Sequence, residues 1–141
     1  MHHRLFIHLV WTTRDRAPLI DLARAQFLVA YLPIVSLQER GTICAIGIVS
    51  THVHVLLQVD PVLALPRLVQ RFKGGSSTLA SQQCIGNRAS PLRWARGYSA
   101  KSVSDGAVGK VVQYIESQAL HHPTEAIADW VAPSTLEILS V

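Results

Sequence analysis

The chain has 141 residues, of which 49% are hydrophobic and 16% are charged, and its formal net charge is +4. This length suits one domain with a substantial core, and the apolar content excludes an intrinsically disordered chain. No apolar run approaches the roughly 20 residues that span a bilayer, and the first residues lack the features of a signal peptide. We expect a cytoplasmic protein with one domain, residues 1–141, comprising a core of residues 4–123 and a short tail of residues 124–141.

The positive charge is concentrated in one segment. Residues 67–110 contain eight basic residues and one acid, Asp105, so this segment carries about +7 and the rest of the chain about −3. A concentrated basic region suits the phosphate backbone of nucleic acid, because binding releases counterions. The solvated face of a mildly basic protein is the alternative that charge alone leaves open.

Hydrophobic periodicity and turn residues divide the chain into seven elements. Asp21 is placed to cap the first helix, Pro33 is expected to kink or divide it, and Gly97 is expected to make the last strand irregular. Gly74 and Gly75 form a weak point in the second helix. In chain order, the predicted elements are strand 5–13, helix 21–40, strands 42–49 and 51–59, helix 63–82, strand 92–103 and helix 107–121.

The order of these elements indicates the fold. Strand, helix, strand, strand, helix, strand is the βαββαβ plan of ferredoxin-like proteins. We therefore predict an α+β protein, a ferredoxin-like sandwich with an antiparallel four-stranded sheet. Two helices should cover one face of the sheet and leave the other face open, and an additional helix should follow. The apolar segment from Trp130 to Val141 is expected to dock either on the body or on a partner.

Two histidines lie one residue apart in the run THVHVLLQV, residues 51–59. Side chains of an extended strand alternate between faces, so His52 and His54 are neighbours opposite an apolar face formed by residues 53, 55, 57 and 59. Neutral imidazoles placed side by side are suited to binding a metal ion. A half-exposed polar strand face is the alternative interpretation of this motif.

The last predicted helix carries a tyrosine away from its apolar stripe. A tyrosine that served only for packing would be expected on the valine stripe, whereas Tyr114 shares a polar face with residues three, four or seven positions away. An ordinary amphipathic tyrosine is the alternative. The residues of this face are Lys110, Tyr114, Ser117, Gln118 and His121.

Taken together, these motifs resemble the HUH single-tyrosine transposase family of small bacterial insertion sequences, which includes the REP-associated tyrosine transposases. HVH at 52–54 resembles the HUH motif, and YIESQ at 114–118 resembles the nucleophile helix. HLVWTTRDRAPL, RFKGG and LRWARGYSAKSVSD follow in the family's order, so the resemblance covers about residues 4–123. Thr51 departs from the pattern, since an aspartate or asparagine commonly precedes the HUH motif.

The resemblance implies a transposase that cleaves and rejoins single-stranded DNA at insertion-sequence ends. Tyr114 would attack a backbone phosphate and form a 5′-phosphotyrosine, and Lys110 or His121 would assist the loss of its proton. A divalent cation, Mg²⁺ or Mn²⁺, would neutralise charge on the phosphate. Imidazole ligands by themselves would favour Zn²⁺, so ligand type does not fix the metal. The implied metal ligands are His52, His54 and Gln118.

The resemblance also implies the partners. The first partner is single-stranded DNA with hairpin ends. The second is another copy of the chain, in a homodimer in which the tyrosine helix of one subunit completes the active site of the other. A hinge near Gly106 and Gly109 would allow this exchange. Trp94 or Tyr98 would stack on bases, although a core position is equally open for Trp94. The candidate DNA-binding residues are Arg14, Arg71, Lys73, Arg93, Trp94, Arg96, Tyr98 and Lys101.

Three other functions are compatible with parts of this pattern. A replication initiator or conjugative relaxase shares the HUH chemistry, but such proteins usually carry additional domains for which we expect no room here. A domesticated REP-type protein would bind or nick DNA hairpins without transposition. A non-enzymatic metal-binding module would leave Tyr114 inert.

Overall fold

The structure is a computed structural model that describes residues 5–139; residues 1–4 and 140–141, at the edges of the predicted core and tail, lie outside the described residues. The strands form one antiparallel sheet in the order β2-β3-β1-β4, which confirms the predicted α+β, ferredoxin-like architecture. The strands are β1 Leu5–Thr12, β2 Gly41–Val49, β3 His52–Val59 and β4 Ser99–Val103. The helices are α1 Leu22–Gln38, α2 Leu65–Gln70, α3 Ser76–Gln82, α4 Val108–Glu116, α5 Gln118–His121 and α6 Thr135–Leu139.

The main hydrophobic core lies between one face of the sheet and the helices α1, α2 and α3. Alternate residues of β1 and β3 point to this side and pack with residues of the helices. Strand alternation therefore separates this face from the face that carries the histidines. The core includes Leu9, Trp11, Leu28, Leu32, Val53, Val55, Leu57 and Phe72, each at most 1% exposed.

The predicted helix 63–82 is a continuous helical segment with an irregular middle. A π-helical turn, Arg71–Gly75, joins α2 to α3, so the two glycines do not end the helix. A Cβ at Gly75 would overlap the hydroxyl of Tyr31, so glycine allows α1 to pack closely against this turn. Similarly, α1 is one helix, and Pro33 does not divide it.

The last predicted strand, 92–103, is shorter than expected. Of the predicted strand, only β4 pairs regularly with β1. Trp94 forms an isolated bridge with Thr13. Between them, Gly97 has a φ of 81°, a left-handed conformation that breaks the extended backbone. The irregularity predicted at Gly97 is confirmed, but the regular strand begins only after it, at Ser99.

The second face of the sheet is covered over β2 and β3, so the expectation that this face stays open is wrong there, while β4 remains mostly exposed. Helix α4 packs on β2 and β3, and Ile115 forms a second buried cluster with Phe6, Ala45 and Leu56. The predicted helix 107–121 is interrupted at Ser117, and α5 follows the interruption. Because α4 and α5 lie over this part of the face, His52 and His54 are enclosed.

The C-terminal tail docks on the body of the same chain. Helix α6 lies against β2, where the Thr135 hydroxyl donates to the Cys44 carbonyl at 2.8 Å. The register of β2 and β3 shifts at Cys44, a β-bulge whose carbonyl is thereby available to the tail. Ile138 is buried in the main core. Within residues 5–139, no helix is both long enough and apolar enough to cross a bilayer.

Candidate active site

His52 and His54 lie at the start of β3 and point to the sheet face covered by α4 and α5. Their ring centroids are 5.0 Å apart. They are 4% and 6% exposed, so the half-exposed polar face considered from the sequence is not what the structure shows. The alternation of β3 therefore brings two imidazoles together inside the protein.

Glycine at position 47 allows α4 to approach the histidines closely. Gly47 pairs with His54 across β2 and β3. A Cβ at Gly47 would overlap the backbone carbonyl of Ile115 and would lie 3.1 Å from Cγ of Gln118. The end of α4 and the start of α5 therefore rest directly on the sheet beside the imidazoles.

Tyr114 lies at the edge of this enclosed site. Its ring centroid is 5.7 Å from that of His54 and 6.1 Å from that of His8, and both contacts are edge-on. Tyr114 is 41% exposed. Its phenol is therefore accessible to a large substrate while its ring contacts the buried histidines.

Gln118 is buried because the helix is interrupted before it. Ser117 has φ −106° and ψ 26°, and the Gln118 side chain at the start of α5 is turned inward and is 1% exposed. Its Nε2 donates to the Tyr114 carbonyl at 2.9 Å. Its Oε1 is buried and accepts no hydrogen bond of acceptable distance and angle among the described residues, although the amide lies close enough to His52 to raise the pKa of that imidazole. An unpaired buried acceptor costs about 1–3 kcal/mol, which favours a ligand at this atom.

Burial keeps the imidazoles neutral. Burial, followed by the neighbouring His52 and His8, lowers the pKa of His54 to about 3. Burial and then His122 lower the pKa of His52, while Glu125 and the Gln118 amide act in the opposite direction. The neutral imidazole is the form that binds metal ions.

Each imidazole is held through its Nδ1 atom. Nδ1 of His54 lies 2.8 Å from Nε2 of His8, and Nδ1 of His52 lies 3.0 Å from Oγ1 of Thr51. With Nδ1 occupied in this way, Nε2 of both rings is left for a ligand. His8 was not among the predicted site residues. Its position on β1, two residues after the buried Phe6, would have placed it on this face once the strand pairing was known.

These residues fit a divalent cation. The set combines two neutral imidazoles with a buried, unpaired amide oxygen, and imidazole and oxygen ligands are common for divalent first-row metals. Within residues 5–139, no three His, Cys, Asp or Glu side chains are arranged to hold a metal ion, so an ion at the two imidazoles would need the amide oxygen as its third protein ligand. The residues that would hold the ion are His52, His54 and Gln118.

Of the two residues expected to assist Tyr114, His121 lies beside it. The ring centroids of His121 and Tyr114 are 4.8 Å apart, and Nε2 of His121 lies 3.3 Å from Oγ of Ser117. Lys110 is exposed one turn earlier on α4, and no described hydrogen bond or ring contact joins it to Tyr114. The structure therefore brings His121, rather than Lys110, next to the phenol.

Five of the eight candidate DNA-binding residues line one groove of about 630 Å³. The groove lies between α3 and residues 91–96, and the backbone N–H of Arg14 donates to the Arg93 carbonyl at 2.9 Å. Arg14 follows β1, whose last residue, Thr12, pairs with His52, so the groove lies at the histidine end of the sheet. The five residues are Arg14, Lys73, Arg93, Trp94 and Arg96.

Two residues of the groove also have structural partners. The Trp94 indole N–H donates to Oγ of Ser76 at 2.9 Å, and its ring packs edge-on against Trp11. The Lys73 ammonium donates to the carbonyls of Ala95 and Gly97 at 2.6 and 3.0 Å. Trp94 is therefore partly a core residue, while Arg14, Arg93 and Arg96 have exposed side chains.

The remaining three candidates lie outside the groove. Arg71 donates to Glu39 at 2.9 Å and to Gln38 at 2.7 Å, so its charge is paired. Tyr98 is 40% exposed. Lys101 is exposed on β4 directly opposite His8, which places its charge beside the histidine site.

Comparisons with known proteins identify the family of this chain. The sequence profile of the family described as "Transposase IS200 like" matches residues 1–118. The ISDra2 transposase TnpA of Deinococcus radiodurans is 27% identical over 119 residues, which are 82% of this chain and 85% of that protein.

Two solved structures have a similar fold. A structure from Deinococcus radiodurans R1, described as a transposase, has a TM-score of 0.63 and 26% identity, covering 84% of this chain and 93% of that chain. A REP-associated tyrosine transposase bound to a REP hairpin has a TM-score of 0.64 and 14% identity, covering 94% of this chain and 77% of that chain. Because the family profile spans most of the sequence, the chain belongs to the IS200-like transposase family.

Proposed function

We propose that this transposase cleaves and rejoins single-stranded DNA through a covalent 5′-phosphotyrosine at Tyr114, assisted by a divalent cation. The observation that carries the proposal is one constellation: an exposed phenol, two buried neutral imidazoles and an unpaired buried amide oxygen, all within one chain. Most buried polar atoms are hydrogen-bonded, so an unpaired buried acceptor beside two histidines favours a ligand at this place.

The proposed cleavage exchanges one phosphodiester for another. The Tyr114 oxygen forms a bond to the phosphorus, and the bond between the phosphorus and the 3′ oxygen breaks. The leaving 3′ oxygen takes a proton and becomes a free hydroxyl, and the phenol proton passes to a nearby base, for which His121 is the nearest candidate. A second 3′ hydroxyl then reverses the chemistry and joins a new strand. The phosphotyrosine conserves the bond energy, so no nucleotide cofactor is needed.

The protein's residues would position the phosphate for this exchange. A cation bound by His52, His54 and Gln118 would supply positive charge against a non-bridging phosphate oxygen. Mg²⁺ or Mn²⁺ is the ion we propose. The charge of Lys101, opposite His8, lies on the same face and would attract the DNA strand toward Tyr114.

We propose DNA with hairpin ends as the substrate. The REP-associated relative with a similar fold is bound to a REP hairpin. In this chain, the groove at the histidine end of the sheet presents three exposed guanidinium groups to phosphates, from Arg14, Arg93 and Arg96. Arg71 would contribute after release from Glu39, and the exposed ring of Tyr98 is available for stacking.

We also propose that the protein works as a homodimer in which α4 can exchange between subunits. In one chain the proposed site residues already lie together, and exchange would bring the same set together from two chains. Gly106 and Gly109 flank the start of α4, and the conformational freedom of glycine backbones suits a hinge. Mixing His52→Ala and Tyr114→Phe proteins tests this. Restored cleavage requires sites built from two subunits, and a mixture that stays inactive refutes exchange.

Covalent DNA capture tests the cleavage proposal. The protein is incubated with Mg²⁺ or Mn²⁺ and single-stranded oligonucleotides from the hairpins that flank its gene, and adducts are resolved in SDS. We expect an SDS-resistant adduct that is absent in Tyr114→Phe and retained in Tyr98→Phe, a matched control away from the histidines. An adduct that persists in Tyr114→Phe removes this residue as nucleophile. Hairpin binding without any adduct would instead support a domesticated binding protein.

A further inference from the structure

We propose that Glu125 is a positioning residue for the metal site and acts on His52 through the hydroxyl of Thr51. The inference deepens the proposed function and rests on it in one respect, namely that His52 is a metal ligand. It assigns a role to the carboxylate of Glu125, in the segment after α5. This segment lies beyond residues 1–118, the part of the chain that the family profile matches.

The hydrogen bonds of Thr51 define the direction of the relay. Its Oγ1 donates to Oε1 of Glu125 at 2.9 Å and lies 3.0 Å from Nδ1 of His52. A hydroxyl has one hydrogen, and here the carboxylate, which can only accept, receives it. The Thr51 oxygen must therefore accept from His52, so Nδ1 carries the proton and Nε2 keeps the lone pair that a cation needs.

The surroundings hold the carboxylate in place. The backbone N–H of Ser50 donates to the Glu125 carbonyl at 2.8 Å, which ties residue 125 to the turn before β3. The Glu125 side chain also lies 3.6 Å from Arg16 and 3.5 Å from His122. Thr51 and His52 are 5% and 4% exposed, so water has little access to the relay.

This relay explains how Thr51 can stand directly before the two histidines. A threonine hydroxyl alone supports an imidazole weakly, because it carries no charge. Joined to Glu125, it transmits the effect of a carboxylate, which fixes the ring orientation and raises the basicity of the ligand nitrogen. The chain thus supplies its outer carboxylate from a distant segment rather than from the residue beside the histidine.

Metal affinity is the first measurement. Mn²⁺ binding to the full-length protein is followed by calorimetry for the wild type, Thr51→Val, Thr51→Ser and Glu125→Ala. We expect Thr51→Val and Glu125→Ala to weaken binding about 10-fold or more, the usual effect of losing an outer partner. Thr51→Ser keeps the hydroxyl and should bind normally. Glu137→Gln, a change to an exposed carboxylate on α6, is the matched control and should also bind normally.

Two further readouts separate positioning from simple support of the fold. In nitrogen NMR of the metal-free protein, His52 should be the Nδ1–H tautomer in the wild type and a mixture of tautomers in Thr51→Val. In a Glu125→Ala background, Thr51→Asp should restore Mn²⁺ affinity, because a carboxylate at position 51 can accept from Nδ1 directly. A loss of affinity that follows only a lower melting temperature, with no tautomer change and no rescue, overturns the inference.

The outcomes for the relay and for DNA cleavage are distinguishable. Unchanged Mn²⁺ affinity in both Thr51→Val and Glu125→Ala refutes the relay, and so does a wild type that binds no Mn²⁺. Neither result touches a Tyr114-dependent adduct, which concerns the nucleophile. Conversely, a protein that forms no adduct but loses Mn²⁺ affinity in these variants refutes the cleavage proposal and supports the relay.

Discussion

The carbonyl oxygen of Ile115 lies over Gly47 so closely that no side chain can be placed between them. This contact joins α4 to the sheet at the position that pairs with His54. It therefore sets the height of Tyr114 and Gln118 above the histidines. The site depends on a close approach of helix and sheet as much as on its polar residues.

Replacing Gly47 by alanine should open the site. The added methyl group must displace α4, and we expect adduct formation and Mn²⁺ affinity each to fall at least about 10-fold, with overpacking lowering the free energy of unfolding by about 1–3 kcal/mol. DNA capture, calorimetry and urea unfolding measure these effects. Gly109→Ala is the control for Mn²⁺ affinity and stability, because its Cβ meets nothing within 4 Å and alanine favours a helix. Full activity in Gly47→Ala would show that the contact does not position the site.

Removing the His8 imidazole should weaken metal binding through His54. Its Nε2 lies 2.8 Å from Nδ1 of His54, so His8→Leu frees that ring to rotate and to change tautomer. We expect about a 10-fold loss of Mn²⁺ affinity by calorimetry. His121→Ala provides the contrast, since His121 contacts Tyr114 and should slow adduct formation without a comparable loss of Mn²⁺ affinity. Equal Mn²⁺ affinities for His8→Leu and the wild type would refute the role of His8.

Arginines of the groove should contribute to DNA affinity through phosphate contacts. Each of Arg93→Ala and Arg96→Ala should weaken binding of single-stranded DNA and reduce the slope of log affinity against log salt by about 0.7, the value for one phosphate contact on a single strand. Fluorescence anisotropy over a salt series measures both. Arg88→Ala removes an exposed arginine outside the groove and should leave the slope unchanged. A slope that falls equally in all three variants would indicate a nonspecific charge effect.

Releasing Arg71 from its ion pair should strengthen DNA binding. Glu39 accepts from Arg67 at 2.7 Å and from Arg71 at 2.9 Å. Glu39→Gln removes the negative charge between them, so we expect tighter binding of single-stranded DNA and a steeper salt dependence. Anisotropy with Glu137→Gln, a change to an exposed carboxylate on α6, is the comparison. Unchanged affinity in Glu39→Gln would place Arg71 outside the DNA interface.

Glu39→Gln should also alter how the stability of the protein depends on pH. Hydrogen bonds from Arg67 and then Arg71 lower the pKa of Glu39 below its ordinary value of 4.5. The stabilisation of the folded state by the ionised Glu39 is therefore fully present above pH 4.5 and is lost as the pH falls through the folded-state pKa of this carboxyl. Between pH 5 and pH 3, thermal melts should show a larger loss of stability for the wild type than for Glu39→Gln. Parallel curves would contradict this contribution.

Local patterns in the sequence were sufficient for most of the elements and for part of the site. Strand alternation placed His52 and His54 on one side of β3, and the N-cap at Asp21 is confirmed, with its carboxylate accepting from the Arg24 N–H at 2.9 Å. Both features depend on backbone geometry within a few residues, which the order of residue types specifies. The order of strands and helices likewise indicated the ferredoxin-like sheet, because short connections restrict the possible topologies.

Contacts between distant segments required the tertiary structure. The sequence could not show that α4 would cover the second face over β2 and β3, that the interruption at Ser117 would turn Gln118 inward, or that Lys73 would tether residues 95 and 97. Nor could it show that His8 would contact Nδ1 of His54, or that Glu125 would act on Nδ1 of His52 through Thr51. Strand register and helix docking decide these contacts, because they depend on packing between residues far apart in the chain. The sequence thus determined which chemical groups are available, and the tertiary packing determined which of them meet.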